Sequence, residues 1–230
     1  GQWRGVQAIV LTDDGTTLTQ TEIRTAMIAR DVAGGARTIL GSSWGAETID
    51  IGATTDLVVT RGAADEVVFH AGTGPVRVDA RTGSGNVLRF ADHSVADVVR
   101  AVRVSPTSED LEITFAGGDR VTLIGALADG NGDWAYTIRV RFADGTVWSR
   151  DDMRARSTAD LDGAGDDGIV GFNGDDTLVA RAGADTMTGG RGADTYVFTA
   201  GAGEDLVEDA SGSDTIRFAD VASSEVSVAR

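Results

Sequence analysis

Between Asp162 and Phe198 large apolar residues return every nine positions, as Ile169, Leu178, Met187 and Tyr196. Each belongs to a polar row (DGAGDDGIV, GFNGDDTLV, ARAGADTMT, GGRGADTYV). An aspartate stands two residues before the apolar side chain (Asp167, Asp176, Asp185, Asp194), and a glycine two residues before that (Gly165, Gly174, Gly183, Gly192). A period of nine fits neither the alternation of a lone strand nor the 3.6 of a helix. It predicts a tight turn followed by a short strand that sends one side chain into a shared core. A flexible Gly/Asp linker would set no period. Glycine tolerates positive φ, so the six turn residues can aim backbone carbonyls inward. If nine residues make half a coil, rows i and i+2 stack, bringing Asp167 to Asp185 and Asp176 to Asp194.

The same register runs through residues 41–69. Ile49, Val58 and Val67 hold the apolar slot and Glu47, Asp56 and Asp65 the acidic one, but two residues before the acids stand Gly45, Thr54 and Ala63. This predicts a degenerate, metal-poor coil whose one residual site is Glu47 with Asp65. Residues 1–100 resemble 131–230 at an offset of about 130, with Asp13–Arg24 matching Ala143–Arg154. Each copy predicts strand, Asp-Gly turn, strand and helix. Thr19 with Glu22, and Ser149 with Asp152, have N-cap and N3 spacing, and the first helix continues through Arg30. Alternating runs at 65–74 and 87–92, matched at 194–203 and 215–220, predict strands that extend and close each coil. Leu111–Phe115 and Arg120–Ile124 flank a Gly-rich turn and predict a hairpin; Ile138–Phe142 predicts a strand leading into the Asp144-Gly145 turn.

The fold class is therefore all-β, with parallel β-roll or β-helix coils alternating with antiparallel β-hairpin modules and few short helices. Residues 1–30 read as the end of a preceding repeat unit and 31–103 as the degenerate roll with its capping strands. Residues 104–154 read as a hairpin module, and 155–230 as the second roll, a copy of 25–103.

Charge narrows the function. The formal net charge is −16 over 230 residues, and the 20 basic residues are all arginine. Such acidity argues against nucleic acid, which needs clustered basic residues, and suits cations. Without cysteine no disulfide can staple the fold, and bound metal is the alternative staple. No apolar run approaches the length of a membrane span. Gly1-Gln2-Trp3 reads as the interior of a larger protein. His70 and His93 read as lone surface histidines, so no enzyme is expected. Asp129–Asp133 (DGNGD) opens like a calcium loop, but Trp134 and Val140 stand where its glycine and glutamate belong, so it reads as a plain turn. Aspartate oxygens with turn carbonyls match the hard oxygen ligands that Ca²⁺ prefers.

The rows at 162–198 resemble the repeats-in-toxin (RTX), or haemolysin-type, calcium-binding β-roll. The run LEITFAGGDRVTL…IRVRFADGTVWSRDDM resembles the haemolysin-type calcium-binding-related module. The resemblance implies a calcium-binding tandem-repeat segment of a large secreted bacterial adhesin, toxin or exoprotein. Such a protein would be exported by a type I secretion machinery and would fold outside the cell on calcium. It implies one ion held by Asp167 and Asp185 with the carbonyls of Gly163, Gly165, Ala180 and Ala182. A second would sit between Asp176 and Asp194 with the carbonyls of Phe172, Gly174, Gly189 and Arg191. Neighbouring repeat units of the same chain are the other expected partners. The alternative is a carbohydrate- or surface-binding accessory module of a secreted polysaccharide-modifying enzyme, using Trp44, Trp134 or Trp148; Trp148 matches Leu18 and reads as core.

Overall fold

A computed structural model describes residues 8–10, 17–43, 45–62, 64–128, 138–159, 161, 163–209 and 211–228. The chain is mostly β, with two α-helices among the described residues, and its strands form parallel β-solenoid coils. It divides into two compact units, one from the described parts of 1–100 and 109–150, the other from 101–108 and 151–230.

In the first unit the strands Ala8–Val10 and Thr17–Thr19 pair antiparallel and lead into the helix Gln20–Ala33. The predicted capping box is present. Glu22 N–H donates to Thr19 Oγ1 (3.3 Å), and Thr19 N–H donates to Glu22 Oε2 (2.7 Å). A coil of two parallel sheets follows. Thr38–Leu40, Leu57–Val59 and Val76–Asp79 stack in one, and Thr48–Asp50, Glu66–Phe69 and Val87–Phe90 in the other. Each ladder puts its apolar slot in register, Ile39 with Val58 and Val78, and Ile49 with Val67 and Leu88, all buried.

The two predicted hairpins continue these sheets. Arg120–Ile124 adds parallel to Val76–Asp79 and then pairs antiparallel with Leu111–Phe115. Arg139–Arg141 adds parallel to Val87–Phe90 and pairs antiparallel with Val147–Trp148. Phe69, Phe90, Phe115 and Phe142 fill the space between the sheets, with Phe90 4.7 Å from Phe115 and 5.4 Å from Phe142.

His93 corrects the sequence reading. It is buried, stacked on Phe115 at 4.1 Å with Nε2 3.0 Å from Asp119 Oδ2. The aromatic strands bring apolar faces to a residue that its local sequence leaves among polar neighbours. His70 is partly exposed and bridges Asp50 and Asp92 at 3.0 Å each, tying successive coils. Trp148 packs on Phe142 in the core as expected, which removes it from any exposed aromatic stripe. Trp44, Trp134 and the Asp129–Asp133 loop lie outside the described residues.

The second unit takes in the helix Arg150–Ala159 from Asp151 onward, with Met153 fully buried. Gly168–Val170, Thr186–Thr188 and Leu206–Val207 form one parallel sheet; Thr177–Ala180, Thr195–Phe198 and Thr215–Phe218 form the other. Ile169 lies opposite Met187 and Leu178 opposite Tyr196, and these residues with Ala180 and Ala202 make the core. Rows i and i+2 therefore stack, as half-coils of nine residues require.

The coil runs on past the four rows, through the strand at Thr215–Phe218 expected to extend and close it. AGAGEDLVE (200–208) and DASGSDTIR (209–217) are two more rows, displaced by the insertion of Phe198-Thr199. Val207 stacks on Met187 and Ile216 on Tyr196. On the last strand Ile216 and Phe218 are exposed.

Candidate metal centre

The turns between strands line up their acids in two columns. In one, Asp167 N–H donates to Asp185 Oδ1 (2.9 Å) and Asp185 N–H to Asp205 Oδ1 (3.0 Å). In the other, Asp176 N–H donates to Asp194 Oδ1 (2.8 Å) and Asp194 N–H to Asp214 Oδ1 (3.0 Å). Each carboxylate so accepts from the coil before it, at the spacing of the parallel ladder. A second pair of acids, one residue earlier, bonds in the opposite sense: Asp166 Oδ1 accepts from Ala184 N–H and Asp175 Oδ1 from Ala193 N–H of the coil after, both 2.8 Å.

The second oxygens differ along the columns. Asp167 Oδ2 accepts from Gly163 N–H (2.7 Å) and Asp176 Oδ2 from Phe172 N–H (2.6 Å). Asp185 Oδ2 and Asp194 Oδ2 are buried with no hydrogen-bond partner, in residues only 1 % exposed. Leaving a buried carboxylate oxygen unpartnered is strongly unfavourable, and a cation beside it supplies the missing interaction. The electrostatics agree. Burial pushes the Asp176 carboxyl above its ordinary range, and the charge of Asp194 adds to the shift. Burial does the same for Asp194, reinforced by Asp209, Asp214 and Asp175.

Backbone shape holds the turns open. Gly183 (φ 140°) and Gly192 (φ 135°) lie so close to the previous coil that a Cβ would overlap the carbonyls of Gly165 and Gly174. A Cβ on Gly190 would meet the carbonyl of Phe172. One on Gly171 would meet the Gly189 carbonyl and Asp176 Oδ2, and one on Gly189 would meet Asp194 Oδ2. The structure thus gathers Asp176, Asp194, Phe172, Gly174 and Gly189 on one turn edge, and Gly163, Gly165, Asp167 and Asp185 on the other. The Arg191 carbonyl accepts from Gly174 N–H at 2.5 Å. Ala182 lies exposed on its turn. Ala180 sits at a strand end with its side chain in the core and its carbonyl 3.5 Å from the Thr199 hydroxyl.

Phe172 occupies the second glycine position of its row. Its ring lies under two guanidinium groups, Arg103 at 3.6 Å and Arg154 at 4.6 Å from the centroid. Arg103 also donates to the Gly171 carbonyl (2.5 Å), and both arginines partly offset the upward shift of Asp176.

The first unit keeps the ladder in another form. Glu47 N–H donates to Asp65 Oδ1 (3.0 Å) and Asp65 N–H to Asn86 Oδ1 (2.9 Å). Ser42 N–H donates to Glu47 Oε2 (2.7 Å), Gly62 N–H to Asp65 Oδ2 (3.4 Å), and Arg24 stands 3.9 Å from Glu47 Oε1. Three of the four carboxylate oxygens of these two residues accept hydrogen bonds, and Glu47 Oε1 is buried without one.

Sequence reasoning missed Asp205, Asp209 and Asp214. The G-x-D-x-apolar signal is present at Gly203-Asp205-Val207 and Gly212-Asp214-Ile216, but it is out of phase with the rows before it.

Stacked half-coils with inward acids and close-packed glycines define a parallel β-roll of the ion-binding kind. Residues 170–202 match the RTX calcium-binding nonapeptide repeat (4 copies), and residues 110–152 match the haemolysin-type calcium binding protein related domain. The two matched stretches are separate and do not overlap. No curated protein matches it.

Proposed function

We propose that this chain is a calcium-folded repeat segment of a secreted RTX protein, exported through a type I system and acting without catalysis of its own. The observation that carries this reading is the pair of buried, unpartnered oxygens on Asp185 and Asp194, set in turns that only glycine can pack. Asp167 with Asp185 and Asp176 with Asp194 would hold the ions, with turn carbonyls beside them. Bound Ca²⁺ supplies positive charge and joins one coil to the next.

The protein supplies the rest. Ile169, Leu178, Met187 and Tyr196 fix the strands, and the N–H···carboxylate ladder sets the coil spacing. Without cation the stacked carboxylates oppose that core. A ligand that binds only the folded state stabilises it by about 2.7 kcal/mol at 100 times its Kd. Extracellular calcium modules work at about 10⁻⁴–10⁻³ M, a range that keeps the coil unfilled in a cytosol and filled outside.

A calcium titration followed by far-UV circular dichroism, on this chain and on Asp176→Ala/Asp185→Ala, tests it. The β signal should rise with calcium in the parent and shift to higher calcium in the variant. A chain fully folded in chelator and indifferent to calcium would sink the reading.

A further inference from the structure

Both coils follow a helix, and the two helices carry an arginine at the same place. Arg24 and Arg154 end the matched stretches Asp13–Arg24 and Ala143–Arg154. Aligned on it, Gln20–Ala29 and Arg150–Ala159 share only this arginine and the closing alanine. In the first unit the helix packs on Thr38–Leu40 and Thr48–Asp50, the first strand of each parallel sheet. Later acids of a column accept from an amide of the coil before, as Asp65 does from Glu47 and Asp194 from Asp176. Glu47 and Asp176 open their columns. One coil earlier the chain is helix, at Ala29 and at Thr158.

The helix arginine reaches both opening acids. Glu47 Oε2 is taken by Ser42 N–H, while Oε1 is buried without a hydrogen bond, 3.9 Å from Arg24 Nη1. The Glu47 side chain is 1 % exposed, and a carboxylate so buried needs an opposite charge beside it. At Asp176 the link runs through Phe172. Its N–H donates to Asp176 Oδ2 (2.6 Å), and Arg154 lies 4.6 Å from its ring centroid. The Arg154 charge acts on the Asp176 carboxyl against burial, joined by Arg103. Arginine suits the place, since it stays charged whatever its surroundings. We propose that this helix arginine is a resident counter-cation, which serves the first carboxylate of each column as an ion serves the later ones and joins helix to coil without metal. The comparison with an ion rests on the calcium reading of the second coil; the pairing of Arg24 with Glu47 does not.

Hydrogen exchange of the full chain tests the device, with Arg24→Gln, Arg24→Lys and Arg24→Gln/Glu47→Gln beside the parent, in chelator and in calcium at equal ionic strength. Parent and Arg24→Lys should protect the helix Gln20–Ala33 and the strand Thr48–Asp50 alike in both conditions. In chelator Arg24→Gln should lose roughly tenfold of that protection, because it strands a buried carboxylate. Calcium should restore the loss by supplying the charge that the arginine gave. The doubly neutral variant, with no charge left to compensate, should regain most of the protection and ignore calcium. An Arg24→Gln chain as well protected as the parent would overturn the proposal, and so would a loss that calcium leaves unchanged. In the same samples the parent's strands between 168 and 218 report on the calcium reading, so that reading and this pairing can fail separately.

Discussion

One hydrogen atom decides whether two coils can touch. At Gly183 the side-chain hydrogen faces the carbonyl of Gly165, and φ is 140°, a region that other residues enter only with strain. Gly183→Ala should therefore destabilise the calcium-loaded second unit by about 1–3 kcal/mol. Leu178 is fully buried between the stacked strands; Leu178→Ala should cost about 2–5 kcal/mol. Urea denaturation in saturating calcium measures both. Alanine at 178 removes core but leaves the turns, so its ion stoichiometry should stay that of the parent. Gly183→Ala should lose affinity as well as stability.

At the scale of the coil, most of the shifted acids of the first unit respond to pH in the sense opposite to those of the second. Asp176 and Asp194 have carboxyls raised above their unfolded values by burial. Their contribution to stability is present below the unfolded pKa and lost as pH rises through the raised folded value. Asp79 is held below its ordinary value by Arg81, Asp97 by Ser94, Asp92 by the Ala71 amide and His70, and Asp144 by the Thr146 and Val95 amides. Their contribution is present above the unfolded pKa and lost as pH falls through the lowered folded values. Asp65 sides with the raised group, against these four. In chelator, acidification from neutral toward about pH 5 should raise hydrogen-exchange protection in the second unit, after correction for intrinsic rates, with a flat or falling trend in the first. Parallel trends would refute the assignment. Calcium affinity should fall over the same interval, as protons and the ion compete for one carboxylate.

Local chemistry made much of these elements legible. Nine-residue rows with one apolar slot imply half-coils, and Thr19 with Glu22 implies a cap; the folded chain has both. Other features depend on distant partners. His93 is buried because Phe69, Phe90 and Phe115 come from separate strands. Rows five and six escaped because Phe198-Thr199 lengthens the step from Tyr196 to Val207 to eleven residues, while the sheet absorbs the extra pair at a strand end. Asp209 could be found only through Tyr196, thirteen residues away.

At the scale of the whole molecule, the two units differ in what completes their turns. In the first, Ser42, Gly62 and Arg24 face the carboxylates of Glu47 and Asp65. There Glu47 Oε1 is buried without a hydrogen bond but has the Arg24 guanidinium 3.9 Å away; in the second, Asp185 Oδ2 and Asp194 Oδ2 are buried with no hydrogen-bond partner. Chelation should therefore strip hydrogen-exchange protection from residues 163–218 while the strands from 38 to 90 keep theirs. Equal protection of both coils in chelator would end the idea of a calcium switch confined to one of them.

The ladder Glu47–Asp65–Asn86 has a consequence for how chains of this sort are deciphered. It has the same bonding as Asp176–Asp194–Asp214, yet it ends in an uncharged amide and stands largely without the turn glycines. The acid column is thus a splice between coils, useful whether or not an ion ever arrives, and the glycine column is what leaves an ion room. A search keyed to the aspartates alone would count scaffolding as sensors; one keyed to the glycines would tell the two apart.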